Sequence, residues 1–338
     1  MLLHLPLSVF PVLWRGFIKE TISGNTKKGF MDLKWEKRVM RRRNKIFAAS
    51  VIATIIILIV IFYRESNHEW KHFQKTYNVK LAEKLNSPDI KNEPLRINQL
   101  WLPQLNTTDR CMTCHKGVEN PMFVNEPQPF TTHPGDFLKT HSIDKFGCTV
   151  CHQGDGQAVT VEATHGAVHH LNRQLLAKEF VQASCVKCHI DLHDNSVTAD
   201  TFKGIRTFFE GRGLTFQYGC RGCHKIIGEG GSIGPELTGL GSKTELAFML
   251  IHDFEHVEGQ HTMGQWIYEH FLNPQKVVPG NPELNFAPTI MPNFGLTPEQ
   301  ARALTIYVLG LRNPKVDAIP YEYISQKRLA QASSKPVR

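Results

Sequence analysis

The sequence predicts a mainly α-helical protein in three parts: one N-terminal transmembrane helix, a loop-rich middle segment and an all-α domain at the end. Three observations carry this. Ile46 to Tyr63 is an uncharged run of 18 residues. Turn formers crowd the middle, at Asn120-Pro121, His133-Pro134-Gly135 and Gly154-Asp155-Gly156. Near the end, Thr297-Pro298-Glu299-Gln300 opens a helix whose apolar stripe is Leu304, Tyr307, Val308 and Leu311.

The first part follows from length and charge. At about 1.5 Å per residue the uncharged run spans roughly 27 Å, close to the thickness of a hydrocarbon core. Residues 1–45 hold 11 Lys/Arg against 3 Asp/Glu, and the remaining residues hold 28 of each. The formal charge of +8 therefore lies wholly before the apolar run. That asymmetry is a topology signal, with the N-terminus cytoplasmic and everything after Tyr63 outside. It is not a phosphate-binding footprint, and nucleic acid is excluded as a partner. The residues after the run, Phe62 to Glu65, make a poor signal-peptidase site, so the helix reads as an uncleaved anchor. Residues 1–30 read either as a membrane-surface segment or as a misassigned start, with Met31 the first residue.

The second part follows from cysteine arithmetic. All eight cysteines fall in four copies of one pattern. These are Cys111-Met112-Thr113-Cys114-His115, Cys148-Thr149-Val150-Cys151-His152, Cys185-Val186-Lys187-Cys188-His189 and Cys220-Arg221-Gly222-Cys223-His224. Cys-x-x-Cys-His is the pattern of covalent haem attachment. Two thiols add to the two vinyl groups of one porphyrin, and the adjacent histidine supplies the proximal nitrogen to its iron. Zinc would not require a histidine after every second cysteine. Disulfides would not repeat one spacing four times, and a redox pair would occur once. The pattern therefore implies four covalently bound haem c groups, their irons held by His115, His152, His189 and His224. An apolar fraction of 41% suits a chain that folds around bulky cofactors rather than one large core.

The motifs start at 111, 148, 185 and 220, intervals of 37, 37 and 35. Spacing this short implies closely packed haems. The chain then divides into a basic N-terminus (1–45), the anchor (46–63), a stalk or linker (64–105), a trihaem segment (106–200), a monohaem domain (201–314) and a polar tail (315–338). Within the linker, Trp70 to Leu85 extends the membrane helix as a stalk until Pro88 and Pro94 break it. Before the fourth motif, Phe202, Ile205 and Phe209 recur at helical spacing. In the terminal helix Thr297 caps, Pro298 takes the first position and Gln300 completes a capping box.

Each iron needs a sixth ligand or an open site. Thirteen histidines lie outside the motifs. For the first three irons the candidates are His133, His141 and His165, with His169 in reserve. The sequence does not assign them to individual haems.

Residues 201–314 resemble a class I cytochrome c domain, through the helix ending in the fourth motif, the Gly234-Pro235-Glu236-Leu237 loop and Met291-Pro292-Asn293-Phe294 before the last helix. The resemblance implies His224 as proximal and Met291 as distal ligand, with the Pro235 carbonyl holding the His224 ring N–H. It departs from the family in a longer insert, Glu245 to Asn285. Met249 and Met263, or His252, His256, His261 and His270, are the alternatives to Met291.

The whole chain resembles the membrane-anchored multihaem cytochrome c subunits of bacterial cytochrome bc-type quinol oxidoreductases. The carriers are the single anchor, the run from Cys111 to His165 and the terminal domain. This implies a place on the periplasmic face of the inner membrane. It also implies a quinol-oxidising membrane complex as donor, and a soluble c-type cytochrome or terminal reductase or oxidase as acceptor. Three rivals stand beside it. Tetrahaem quinol dehydrogenases of nitrate and nitrite respiration lack a class I domain. Reaction-centre cytochromes place methionine ligands ahead of most motifs, whereas no methionine lies between Met122 and Cys185. A multihaem enzyme needs an iron with an open face, and a surplus of histidines argues against one.

Overall fold

The computed structural model describes residues 30–166, 174–278, 280 and 289–324. The reserve ligand His169, its neighbour His170, most of residues 1–30 and most of the tail lie outside them. The chain forms two units, one ending at Asn67 and one beginning at His68.

The first unit is helix α1, Phe30–Ser66. It is longer than the apolar run because the basic residues before Ile46 are good helix formers. From Ile46 to Tyr63 every side chain is exposed, with no polar face. A soluble helix would bury one stripe, so this surface matches a lipid environment. Length and composition alone make it a candidate membrane span.

The second unit starts with α2, Glu69–Leu85. The stalk is thus a separate helix, and α1 ends at Ser66. Helix α2 buries Trp70, Gln74, Tyr77, Asn78 and Ala82, one stripe at helical spacing. It stops at Asn86, which takes the left-handed conformation and donates its N–H back into the last turn. Tyr77 stacks on Phe123 at 4.7 Å, and with Phe130 they form a core of only three buried residues. A two-stranded ribbon follows, β1 Leu100–Leu102 antiparallel to β2 Thr107–Asp109, pairing Leu100 with Asp109. From there to residue 166 the chain is single helical turns and loops.

The C-terminal region is built differently. Helices α3 (Arg206–Gln217), α4 (Met263–Leu272) and α5 (Pro298–Leu309) share one continuous core. The expected stripe on α5 is buried, but so are Ala301, Ala303, Thr305, Ile306 and Leu309. The helix is covered nearly all round because α3, α4 and the 3-10 segment Lys178–Lys187 all pack against it. Gly211 makes the α3–α5 crossing possible, since a Cβ there would lie 1.9 Å from the Ala303 carbonyl oxygen. The capping box forms as read, with Thr297 and Gln300 exchanging side-chain bonds.

Phe202 differs from the expectation. It lies before α3, outside the helix, and its ring meets that of His189 at 4.8 Å. Ile205, the cap position of α3, is fully buried. The core also continues back through residue 200. Val186 of the third motif and Phe180, Ala183 and Leu192, which flank it, pack with Phe208 and Phe209. Arg212 on α3 closes this joint by donating to the carbonyls of Leu192, Asp194 and Val197 at 2.6 to 2.8 Å.

Candidate haem-binding centres

All four motifs adopt the same local turn. In each, the histidine N–H donates to the carbonyl of the first cysteine, at 3.0 Å for His115 and 2.9 Å for His152, His189 and His224. The second cysteine's N–H reaches the same carbonyl, at 3.1 to 3.3 Å. One turn of helix places positions i, i+3 and i+4 on one side. Both thiols and the imidazole are therefore placed to serve one porphyrin, and the described cysteines are all unpaired as disulfides.

The first motif is held from α2. The Gln74 amide, 1% exposed, donates to the carbonyls of Arg96 and Thr113 and accepts from Arg96 N–H. Thr113 and Asn98 exchange two further bonds. The second motif is tied to the first through Asp109. Its carboxylate accepts from Cys111 N–H at 3.0 Å, Cys148 N–H at 2.7 Å and Thr149 N–H at 2.9 Å. Burial pushes its pKa up, the three N–H bonds pull it down, and it ends below the ordinary carboxylate value. The third motif is tied to the second by Lys187, whose ammonium donates to the Val150 carbonyl at 2.7 Å. Burial and the Arg312 charge push the Lys187 pKa down to about 8. Sequence reasoning did not single out Gln74, Asp109 or Lys187. Their roles depend on backbone groups 37 to 40 positions away, which no motif displays.

The expected distal histidines meet the motif histidines pairwise. His165 faces His115 with ring centres 6.4 Å apart. His133 faces His152 at 6.1 Å, and His141 faces His189 at 6.1 Å. One metal held between two imidazole nitrogens at about 2 Å each separates the ring centres by roughly 6 Å. The donor sets therefore fit a bis-histidine iron at each pair. Carbonyls orient two of the distal rings, Pro134 on His133 Nδ1 at 2.9 Å and Phe137 on His141 Nδ1 at 3.3 Å. With Nδ1 donating, Nε2 is the unprotonated nitrogen, the one that would ligate an iron. Burial, as the largest cause, lowers the pKa of His115, His152, His165 and His189, which keeps them neutral at neutral pH, the ligating form.

At the fourth motif His224 Nδ1 lies 2.8 Å from the Pro235 carbonyl oxygen, as the resemblance implied. Gly234 is required beside it, because a Cβ there would sit 2.5 Å from the ring. Met291 is half-buried against the main core, and its carbonyl accepts from the Gln275 side chain at 2.7 Å. Of the alternative histidines, His252 packs on an aromatic ring, whereas His270 lies near enough to His224 to feel its charge and keeps its Nε2 free among the described residues. His252 stacks on Phe248 at 3.7 Å, and His270 Nδ1 lies 2.6 Å from the Val277 carbonyl oxygen.

A cytochrome c family model matches residues 208–312. The end of the chain is a class I cytochrome c domain. It carries covalently bound haem c with its iron, and the protein has a haem-based electron-transfer role. No curated protein and no solved structure matches the chain.

Proposed function

We propose that the chain is a tetrahaem c-type cytochrome, anchored by α1, with its centres on the periplasmic side of a bacterial inner membrane. Haem supplies reversible one-electron storage, and the residues fix where each haem sits and which oxidation state is favoured. Cys111, Cys114, Cys148, Cys151, Cys185, Cys188, Cys220 and Cys223 form the thioether links. The irons would be held by His115 with His165, His152 with His133, His189 with His141, and His224 with Met291. The observation that carries the count is the set of three histidine ring pairs at 6.1 to 6.4 Å, each joining one motif to one histidine outside the motifs.

A Met/His iron sits at higher potential than a bis-histidine iron, other things equal. Electrons would therefore enter at the bis-histidine centres and leave from the C-terminal domain. The donor fits a quinol-oxidising bc-type membrane complex, and the acceptor a soluble c-type cytochrome or a terminal reductase or oxidase. A candidate sixth ligand for every motif histidine argues against a multihaem enzyme with an open iron.

Two measurements test this reading. The denatured protein should retain four haems per chain, by mass and by pyridine haemochrome. A count of one would reduce the protein to its terminal domain. Reduction by a quinol analogue should require a partner complex. Reduction of the isolated protein would favour the quinol dehydrogenase reading instead.

A further inference from the structure

Beyond residue 312, where the cytochrome c match ends, the chain turns back onto the earlier region. The turn is fastened by an ion pair. Arg312 donates twice to the Asp317 carboxylate, at 2.6 and 2.7 Å, and the two side chains are 12% and 7% exposed. Ala318 then takes the left-handed conformation, at a φ of 49°. A residue with a Cβ holds that conformation only where its surroundings fix it. The contact that follows is Tyr323. Its ring meets Phe146 edge-on at 5.5 Å, and its hydroxyl lies 3.4 Å from the Lys145 carbonyl oxygen. A hydroxyl bond of that length is weak, so the ring carries the contact. The Lys145 ammonium lies over both rings, 5.3 Å from the centre of Phe146 and 5.7 Å from that of Tyr323. Phe146 in turn packs on the His141 ring at 5.3 Å. One line of rings therefore runs from Tyr323 through Phe146 to His141, which faces His189. His189 has its own aromatic backing in Phe202. The pair is thus wedged from both ends, and one wedge depends on the segment after the cytochrome c domain.

Resting on the four-haem reading, we propose that Tyr323 is a positioning residue for the third centre, which through Phe146 fixes the plane of the His141 ring and keeps water off its outer side. Edge-on and tilted ring contacts of this kind have preferred geometries, so they leave His141 little room to turn. A ferric centre carries one more positive charge than a ferrous one, and water beside it favours the more charged state. Excluding that water raises the potential of the third centre. Among the described residues Phe146 makes ring contact with His141 and Tyr323 alone, so the effect is confined to this centre. The segment continues directly from α5, so the docking of the domain's end and the potential of the third centre are coupled.

The test is a redox titration of the full-length, haem-loaded protein, followed by electron paramagnetic resonance. The third transition is identified by its loss in His141→Ala. Tyr323→Ala should raise the ferric-to-ferrous ratio of that centre at a fixed poise by up to about tenfold, ~59 mV downward for a one-electron couple. Its ferric signal should broaden as the His141 ring is freed, and the other three centres should stay where they are. Tyr323→Phe, which keeps the ring, should restore both the potential and the signal. A third centre unmoved by Tyr323→Ala overturns the proposal. So does a shift shared by all four centres, or a Tyr323→Phe protein that behaves like Tyr323→Ala. Where Tyr323→Ala loses haem, pulsed resonance of the unaltered protein in deuterated water decides. The third centre should show no deuterons beyond those on the ring nitrogens of its two histidines, and solvent deuterons beside it overturn the shielding. Fewer than four haems in the unaltered protein would instead remove the four-haem reading.

Discussion

On the proposed four-haem reading, residues 68–166 and residues 174–312 solve the same problem, holding haem on a polypeptide, by opposite means. The earlier region buries three aromatic residues in its own small core. The later region buries twenty-five hydrophobic residues in one. A large buried side chain contributes about 1.5–3 kcal/mol, so the later region has ample apolar cohesion and the earlier region little. The earlier region is instead laced by polar pins such as Gln74 and Asp109. Under the proposed ligation it is also laced by iron bridges between distant positions, 115 to 165 and 133 to 152, and a third, 141 to 189, ties it to the later region. These spans interleave, so each iron closes a loop that contains a ligand of another. The lesson is that a cofactor can replace a core when its ligands cross-connect the chain.

The largest expected effect tests that contrast directly. Replacing Cys148 and Cys151 by Ala together should remove one haem and open residues 106–166 to trypsin, at least about tenfold faster, ~1.4 kcal/mol of local stability. Residues 208–312 should keep their haem and stay resistant. Limited proteolysis with haem counting reads both. Equal sensitivity of the two regions would break the comparison.

Phe208→Ala asks the reverse question. Phe208 is 0% exposed and touches both His193 and Tyr307. The cavity should cost about 3–5 kcal/mol, seen as a lower denaturant midpoint for the C-terminal region. Because the third motif shares that core, the His141/His189 centre should loosen with it, while the first two centres remain. An undisturbed third centre would show that its segment belongs with the earlier region.

Under the proposed ligation, Met291→Ala should leave folding nearly intact and selectively lower the highest of the four potentials, because a thioether ligand favours the ferrous state. Potentiometry checks this. A highest potential that does not move would point to one of the histidines of the insert as the ligand.

The smallest effect concerns Glu245, at the start of the short helix Glu245–Met249. Its carboxylate accepts from Met263 N–H at 2.7 Å. Burial pushes its pKa up, only partly offset by that bond. A carboxyl raised in the folded state binds more protons there than when unfolded. Its contribution therefore falls as pH rises from the ordinary carboxylate range through the raised value. Glu245→Gln should be relatively more stable than the parent at neutral pH, with the gap closing in acid. Melting curves at both pH values test this, and a gap that does not change with pH would place the carboxylate in contact with water.

Much of this was legible in residues that sit close together in the chain. Four Cys-x-x-Cys-His runs specify their own single turn, because thiols and imidazole are brought together by local backbone geometry alone. The same holds for the capping box at Thr297 and the uncharged run of α1, whose partners are a few residues away or are solvent. Nearest-neighbour information does not reach further. The pairing of His165 with His115 rather than with His152, the capture of the third motif by the C-terminal core, and the placing of Asp109 and Lys187 at successive junctions all bring together groups tens of positions apart. Those contacts are set by which surfaces can be buried at once, a property of the packed chain as a whole, and only the tertiary structure decided them.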